Sequence, residues 1–358
     1  MSKVPARDSP DTLRALVARV ALGGDLEAAD AEAVFDHFMA GSASQVQMAA
    51  FLTALGAKGI VAGEIAGGVR ALRTAMVTVR APGLDTLVDT CGTGGGTVTT
   101  FNISTAAALV AAGAGVRIAK HGNRSFSSKS GSADVLEALG VRIELTPDEM
   151  ERVLADIGIV FMFAPLLHPA MRHVGPVRRE LGFPTIMNIL GPLTNPARVT
   201  RQVVGVADPS LMGTVVAALR ELGHRRALVV HGEPGMDELS PLGATKVAEL
   251  IGGDIREFTV TPDELGVERG DVEGLAGGEP AENAALIERV LSGEERGSAR
   301  AATVLNAGAA IYVGEEADTL KDGVAAAEAA LDSGAAQETL AALKAATREC
   351  HRISGTGH

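Results

Sequence analysis

The spacing of apolar residues changes at Pro82-Gly83, and the two patterns call for different architectures. From residue 8 to about 80, apolar side chains recur three and four positions apart over residues 11–21, 26–39, 44–55 and 62–76. That period makes an apolar stripe on a helix, and short breaks such as Gly23-Gly24-Asp25 and Gly41-Ser42 end each one. Beyond Pro82, short apolar runs at 87–88, 116–119, 159–163, 202–206 and 227–230 read as strands. Helical stretches at 104–113, 147–157 and 209–222 separate them, and such alternation builds a mostly parallel sheet flanked by helices on both faces. Residues 281–290 and 299–347 are Ala-rich and helical, which suits close helix packing. The expected fold class is α/β: a small all-helical N-terminal domain, residues 1–80, and a large α/β domain, residues 81–358.

Composition narrows the setting. With 46% apolar and 21% charged residues, the chain is ordinary globular material. Cys91 and Cys350 make no metal or C-x-x-C spacing, residues 1–13 lack an apolar signal core, and the apolar run 106–116 falls short of the ~20 residues a membrane helix needs. A soluble, cytoplasmic protein with no membrane partner is expected. The net charge of −12 argues against a nucleic-acid surface, which needs a basic field. Its distribution says more. No acid occurs between Asp89 and Asp134, where an even spread of 44 acids would place about five, yet Arg117, Lys120, Arg124 and Lys129 do occur. From Ile157 to Ala207 the only acid is Glu180, beside Arg172, Arg178, Arg179, Arg198 and Arg201. Either these segments are buried and Ala-rich, or they are kept cationic for a polyanion.

Asp89-Thr90-Cys91-Gly92-Thr93-Gly94-Gly95-Gly96-Thr97, continuing through Thr100, Asn102, Ser104 and Thr105, reads as a strand ending in a glycine loop that opens a helix. Glycines let backbone N–H groups approach a phosphate, and a helix N-terminus adds unpaired donors and a favourable dipole. The spacing is neither G-x-x-x-x-G-K-[ST] nor G-x-G-x-x-G, and for the loop alone a plain structural turn stays open. After the next strand comes Lys120-His121-Gly122-Asn123-Arg124-Ser125-Phe126-Ser127-Ser128-Lys129-Ser130-Gly131-Ser132, whose cations and hydroxyls suit a diphosphate. Both loops would lie at strand C-terminal ends, where open α/β sheets bind ligands.

These segments closely resemble the anthranilate phosphoribosyltransferase family. The resemblance continues in order through Phe163-Ala164-Pro165-Leu166-Leu167-His168, Pro176-Val177-Arg178, Asn188-Ile189-Leu190-Gly191-Pro192-Leu193-Thr194-Asn195-Pro196 and Gly235-Met236-Asp237-Glu238. It implies a nucleoside phosphorylase/phosphoribosyltransferase-like fold with substrates in the cleft between the domains, the segment 169–182 joining the helical domain, and a homodimer. It implies that phosphoribosyl pyrophosphate is held by Gly92, Gly95, Gly96, Thr100, Asn102, Ile103, Ser104, Thr105, Lys120, His121, Gly122, Asn123, Arg124, Ser125, Phe126, Ser127, Ser128 and Ser132. Lys120 and Arg124 would stabilise the leaving group. Asp237, Glu238 and the Ser104 hydroxyl would hold magnesium, two ions; without the motif around them, adjacent acids usually form a solvated face. Arg178 would engage the anthranilate carboxylate, with Gly92, Asn123, His121, His168 and Pro192 lining that subsite.

Two positions depart from the family pattern. Gly96-Thr97 stands where Asp-Gly is usual, which removes a carboxylate near the sugar phosphate, and Leu167 replaces an aromatic residue before His168. The alternatives are a pyrimidine-nucleoside phosphorylase-like enzyme and a non-catalytic nucleic-acid-binding paralogue.

Overall fold

The structure, a computed structural model, describes residues 10–81, 85–125 and 129–354. Helices α1 (Pro10–Ala21), α2 (Ala28–Met39), α3 (Gln45–Lys58) and α4 (Ala62–Ala75) form a bundle. Phe35, Phe38 and Phe51 fill its centre edge to face, with ring centroids 5.5 to 5.7 Å apart. Such pairs add attraction beyond the area they bury. Polar groups fix how the helices begin. Ser44 and Gln47 close a capping box on α3, and the buried Glu64 accepts the N–H groups of Leu26 and Val61 while pairing with Lys58.

The remaining elements are β1 (Val88–Gly92), α5 (Ile103–Gly113), β2 (Ile118–Gly122), α6 (Ser132–Ala138), α7 (Pro147–Ile157), β3 (Ile159–Phe163), α8 (Ala164–Leu167), α9 (Met171–Leu181), α10 (Ile186–Leu193), β4 (Arg201–Gly205), α11 (Met212–Glu221), β5 (Arg226–Gly232), β6 (Thr245–Ile251), β7 (Asp254–Val260), α12 (Pro280–Leu291), α13 (Ser298–Val313), α14 (Leu320–Asp332) and α15 (Ala335–Ser354). The strands form one sheet in the order β3-β2-β1-β4-β5-β6-β7. The first five are parallel, with Val88 of β1 opposite Ile118 of β2 and Arg201 of β4. Strand alternation sorts side chains between two cores. Val203, Leu228 and Val230 face a core with α5, α7 and α12–α15, whereas Val204, Ala227 and Val229 face one shared with α9, α10, α11 and the bundle.

The mostly parallel sheet, its helical layers and the separate helical bundle match the fold class expected from the sequence. The hairpin β6–β7 was not among the expected strands. It turns on Gly252 and Gly253, both at positive φ, and adds antiparallel to β5. β7 is largely exposed and mixes charged residues with apolar ones, so it carries no continuous apolar run to mark it. The Ala-rich C-terminal region divides into α13, α14 and α15, and α13 packs against α14 where Gly308 and Val324 touch.

The bundle depends on a close approach of α2 to α4 at Gly67. A Cβ there would lie 2.7 Å from the Glu32 nitrogen and 2.8 Å from the Ala31 Cβ. Neither neighbour is a flexible side-chain tip. Gly67→Ala is therefore expected to lower stability by roughly 1–3 kcal/mol through overpacking. Gly56→Ala, in α3 with nothing within 4 Å of the added atom, should instead be neutral or stabilising. Urea midpoints of the two variants measured side by side check the contrast.

Candidate active site

The chain leaves β1 toward β2 on one side and returns to β4 on the other, so the sheet has its switch point between β1 and β4. In open α/β sheets ligands bind there, outside the carboxyl ends of the strands. The glycine loop follows β1, Gly205 ends β4, and residues 233–238 follow β5. These converge: Gly94 N–H donates to Asp237 Oδ2 at 2.8 Å, Thr97 N–H to the Gly235 carbonyl at 2.8 Å, and Thr93 N–H to the Gly205 carbonyl at 2.9 Å. A Cβ on Gly92 would collide with the Asp237 carboxylate, and one on Gly205 with the Asp237 backbone.

Beneath these loops lies a buried polar cluster. Asp89 accepts the His121 N–H at 3.1 Å, the Asn195 side-chain amide at 2.8 Å and that of Gln202 at 3.4 Å. Burial pushes its carboxyl up, and the facing Lys120 ammonium opposes that rise. Lys120 is buried too, which pushes its ammonium down against the pull of Asp89. Its Nζ donates to the Thr90 carbonyl at 2.7 Å and to Ser104 Oγ at 3.2 Å. Cys91 is held between the Pro192 and Val203 carbonyls, and burial raises its thiol well above the usual range, so it is no nucleophile.

Asp237 and Glu238 are half-buried side by side. Burial raises both carboxyls, Glu238 to about 8 with Asp237 adding repulsion, while Lys120 and the Ser104 N–H at the start of α5 work against the rise. Two neighbouring carboxylates short of positive charge, with a serine hydroxyl close by, make a hard-oxygen donor set. That chemistry fits magnesium, which takes one or two carboxylates and completes its sphere with phosphate and water. Among the described residues, no group of three or more His, Cys, Asp or Glu converges as a metal cage.

The second loop folds back on itself. Arg124 pairs with Asp134 at 2.8 Å and with both Glu137 oxygens, and lies 5.5 Å from the Phe163 ring. Those acids push its guanidinium further up. Asn123 accepts the Arg124 N–H at 2.7 Å, its carbonyl takes the Ser132 hydroxyl, and Ser125 N–H reaches Asp134. A Cβ on Gly122 would meet the Ser132 hydroxyl and the Phe161 ring. Asn102 holds this loop: its amide donates to the Ser130 carbonyl at 3.0 Å and its Oδ1 accepts Asn283 at 2.9 Å. Phe126, Ser127 and Ser128 lie outside the described residues.

Other sequence-predicted positions are less convergent. Ile103 and Thr105 are buried in α5, their N–H groups taken by Phe101 and Asn102 carbonyls, and the Thr105 hydroxyl has no partner among the described residues. Thr100 bridges to Ala276. His168 and His121 meet at 3.1 Å between Nε2 atoms, and Pro192 accepts the Gln202 amide. Leu167 is buried beside them in the chain and is part of the sheet's core. Arg178, on α9, is half-buried and forms no ion pair or side-chain hydrogen bond among the described residues. Sequence reasoning missed Asp89 as the charge facing Lys120, Asn195 and Gln202 as donors to Asp89, Glu137 as a partner of Arg124 in the second loop, and Asn283 as a partner of Asn102. An acid inside an apolar strand was the one signal for Asp89.

Residues 84–337 match the a/b domain of a glycosyl transferase family and residues 14–76 its helical bundle domain. The anthranilate phosphoribosyltransferase of Rubrobacter xylanophilus is 51% identical over 345 residues, spanning 96% of this chain and 99% of that one. The crystal structure of the Thermus thermophilus enzyme has a TM-score of 0.88 at 46% identity, covering 93% of this chain and 99% of its own. The Saccharomyces cerevisiae enzyme in complex with PRPP and Mg has a TM-score of 0.87 at 28% identity, covering 96% of this chain and 100% of its own. Likeness of this extent runs through both domains, and the chain belongs to the anthranilate phosphoribosyltransferase family.

Proposed function

We propose that this chain transfers the phosphoribosyl group of phosphoribosyl pyrophosphate to the amine of anthranilate, releasing pyrophosphate, as a cytoplasmic step of tryptophan biosynthesis. The observation that carries the reading is the meeting of the glycine loop, Lys120, the start of α5 and the Asp237-Glu238 pair at the sheet's switch point. We take residues 1–80 with 169–182 as the helical domain and 81–358 as the catalytic one. A second copy of the chain would pack on the bundle, where Leu22 and Val46 are exposed; light scattering should give twice the chain mass.

In the reaction the anomeric C–O bond to pyrophosphate breaks and a C–N bond to the amine forms. Positive charge grows on the ribose and negative charge on the departing diphosphate. The N–H groups of Gly95 and Gly96, which no hydrogen bond takes up among the described residues, and the positive end of α5 stabilise the latter without having to reorganise. Lys120 acts from below: its donors are spent on Thr90 and Ser104, so its charge is felt through space and through the Ser104 hydroxyl it orients. Arg124 is exposed enough to exchange Glu137 for a ligand phosphate. Asp237, Glu238 and the Ser104 hydroxyl would hold magnesium, two ions, which when bound neutralise diphosphate charge. Anthranilate's aromatic amine is unprotonated near neutral pH, so the acceptor half needs positioning more than a base. Arg178 supplies a fork that fits the carboxylate, and Asn123, Gly92, Pro192, His121 and His168 complete the subsite.

Purified protein given both substrates and magnesium should form the N-ribosylated product; its absence under saturating conditions, or phosphorolysis of thymidine instead, refutes the reading. Arg178→Ala should raise KM for anthranilate at least tenfold, as loss of a charge-assisted bidentate contact worth about 1.5–3 kcal/mol requires, and leave KM for phosphoribosyl pyrophosphate near wild type.

The histidine pair gives a pH test. Burial pushes His121 well below its usual range and His168 down to about 4, so both are neutral at pH 7. His121 also bonds the Gly191 backbone, which leaves its Nε2 to accept from His168 Nε2–H. Protonating His121 at Nε2 sets N–H against N–H, whereas a charged His168 would still donate but is opposed by its burial. Because the folded pKa lies below the unfolded value, stability is full above about pH 6.5 and is lost as pH falls toward the folded value. Wild-type unfolding free energy should drop roughly 3 kcal/mol more than that of His168→Leu between pH 6.5 and 4, and equal slopes in urea titrations would argue against the neutral pair.

A further inference from the structure

The loops after β1 and β5 touch where the sequence leaves the family pattern. Thr97 gives its hydroxyl to the Pro234 carbonyl at 2.9 Å and its N–H to the Gly235 carbonyl at 2.8 Å. Beside it, a Cβ on Gly96 would stand 2.8 Å from the Gly235 oxygen and 3.5 Å from Asp237 Oδ1. Gly235 itself has φ 123° and would drive a Cβ into Thr97. Gly96 thus opens the approach and Thr97 fastens it. On the far side of the buried Met236, Asp237 Oδ2 accepts the Gly94 N–H at 2.8 Å. The loop after β5 is therefore tied to the glycine loop on both sides of Met236, and among the described residues the Thr97 hydroxyl is the one tie made by a glycine-loop side chain.

We propose that Thr97 is a positioning residue whose hydroxyl latches the phosphate loop to the loop bearing Asp237 and Glu238, fixing where those carboxylates meet a divalent cation. The proposal rests on Asp237 and Glu238 being the metal-binding pair. One hydrogen bond changes such an equilibrium about threefold to tenfold.

The test is manganese(II) binding to the full-length enzyme with saturating pyrophosphate and no acceptor, read from the paramagnetic signal of the free ion, so that no turnover is involved. Thr97→Val should weaken binding about threefold to tenfold and raise KM for phosphoribosyl pyrophosphate, with KM for anthranilate unchanged, and Thr97→Ser should restore both to within about twofold. Thr97 is exposed, so valine there leaves no polar atom buried by the change. Wild-type manganese affinity in Thr97→Val overturns the latch. Asp237→Asn, titrated in parallel, tests the reading beneath it: unchanged affinity there means the acidic pair is not the metal site, whatever Thr97 does. Gly96→Asp should weaken binding more in the wild-type background than beside Thr97→Gly, where the fastening is gone, and strictly additive effects would refute the matched pair.

Discussion

Asp89 and Lys120 face one another in the interior at the sheet's switch point, and the site is built over them. An isolated buried charge is costly, so each must be compensated by opposite charge and by hydrogen bonds. Asp89 draws its donors from three places: the His121 backbone on β2, Asn195 beyond α10, and Gln202 on β4. Asn195 also donates to the Ala119 carbonyl and Gln202 to that of Pro192. One carboxylate thereby fixes β1, β2, β4 and the segment after α10 relative to each other. Lys120 extends the arrangement upward to Ser104, and the first turn of α5 meets Glu238 from there.

The same arrangement divides the two explanations for the acid-poor segments. α5 is buried over nearly its whole length, so acids are absent there because nothing would solvate them. The cations are a separate matter. Arg124 recovers acids from Asp134 and Glu137, just past the acid-free stretch, and Arg201 from Glu315, far along the chain. The cationic surplus visible in sequence is thus partly neutralised in space. Lys120 keeps a carboxylate as neighbour without a direct ion pair among the described residues, and Arg178 keeps none.

This explains what the sequence could and could not reveal. The helical bundle, the parallel strands, the glycine loop and the Gly-Met-Asp-Glu segment are local patterns, each confined to a short window. The supports of the site are not local. Asn195 lies 106 residues from Asp89, and Asn283 lies 181 from Asn102. No spacing rule connects such pairs, and only the folded sheet brings them together. β6 and β7 were hidden for another reason: β7 is an edge strand with polar exposed positions, and the buried run of β6 is broken in sequence by the buried Glu249, so neither carries the continuous apolar run that marks a parallel strand. Ile103 and Thr105 show the converse: both belong to the expected binding segment, yet on a helix their side chains turn into the core.

Glycine in a loop of this kind is usually explained by a ligand, and here the acidic loop makes its own demand. Gly92 and Gly205 lack side chains where Asp237 passes, and Gly232 lacks one where the Glu238 carbonyl and Ser240 pass. Three strand ends are therefore shaped to admit the segment that carries the two carboxylates. A side chain at any of them would move the acids before it touched a phosphate. The glycine loop and the acid-bearing loop consequently pack as one unit on the sheet, and in the proposed reaction that packing would supply the preorganisation that electrostatic stabilisation of a leaving group requires. In the proposed reaction, adjustment to substrates would fall to the periphery, to Arg124 with its exchangeable acids and to Arg178, whose guanidinium is half-buried on α9 with no partner among the described residues.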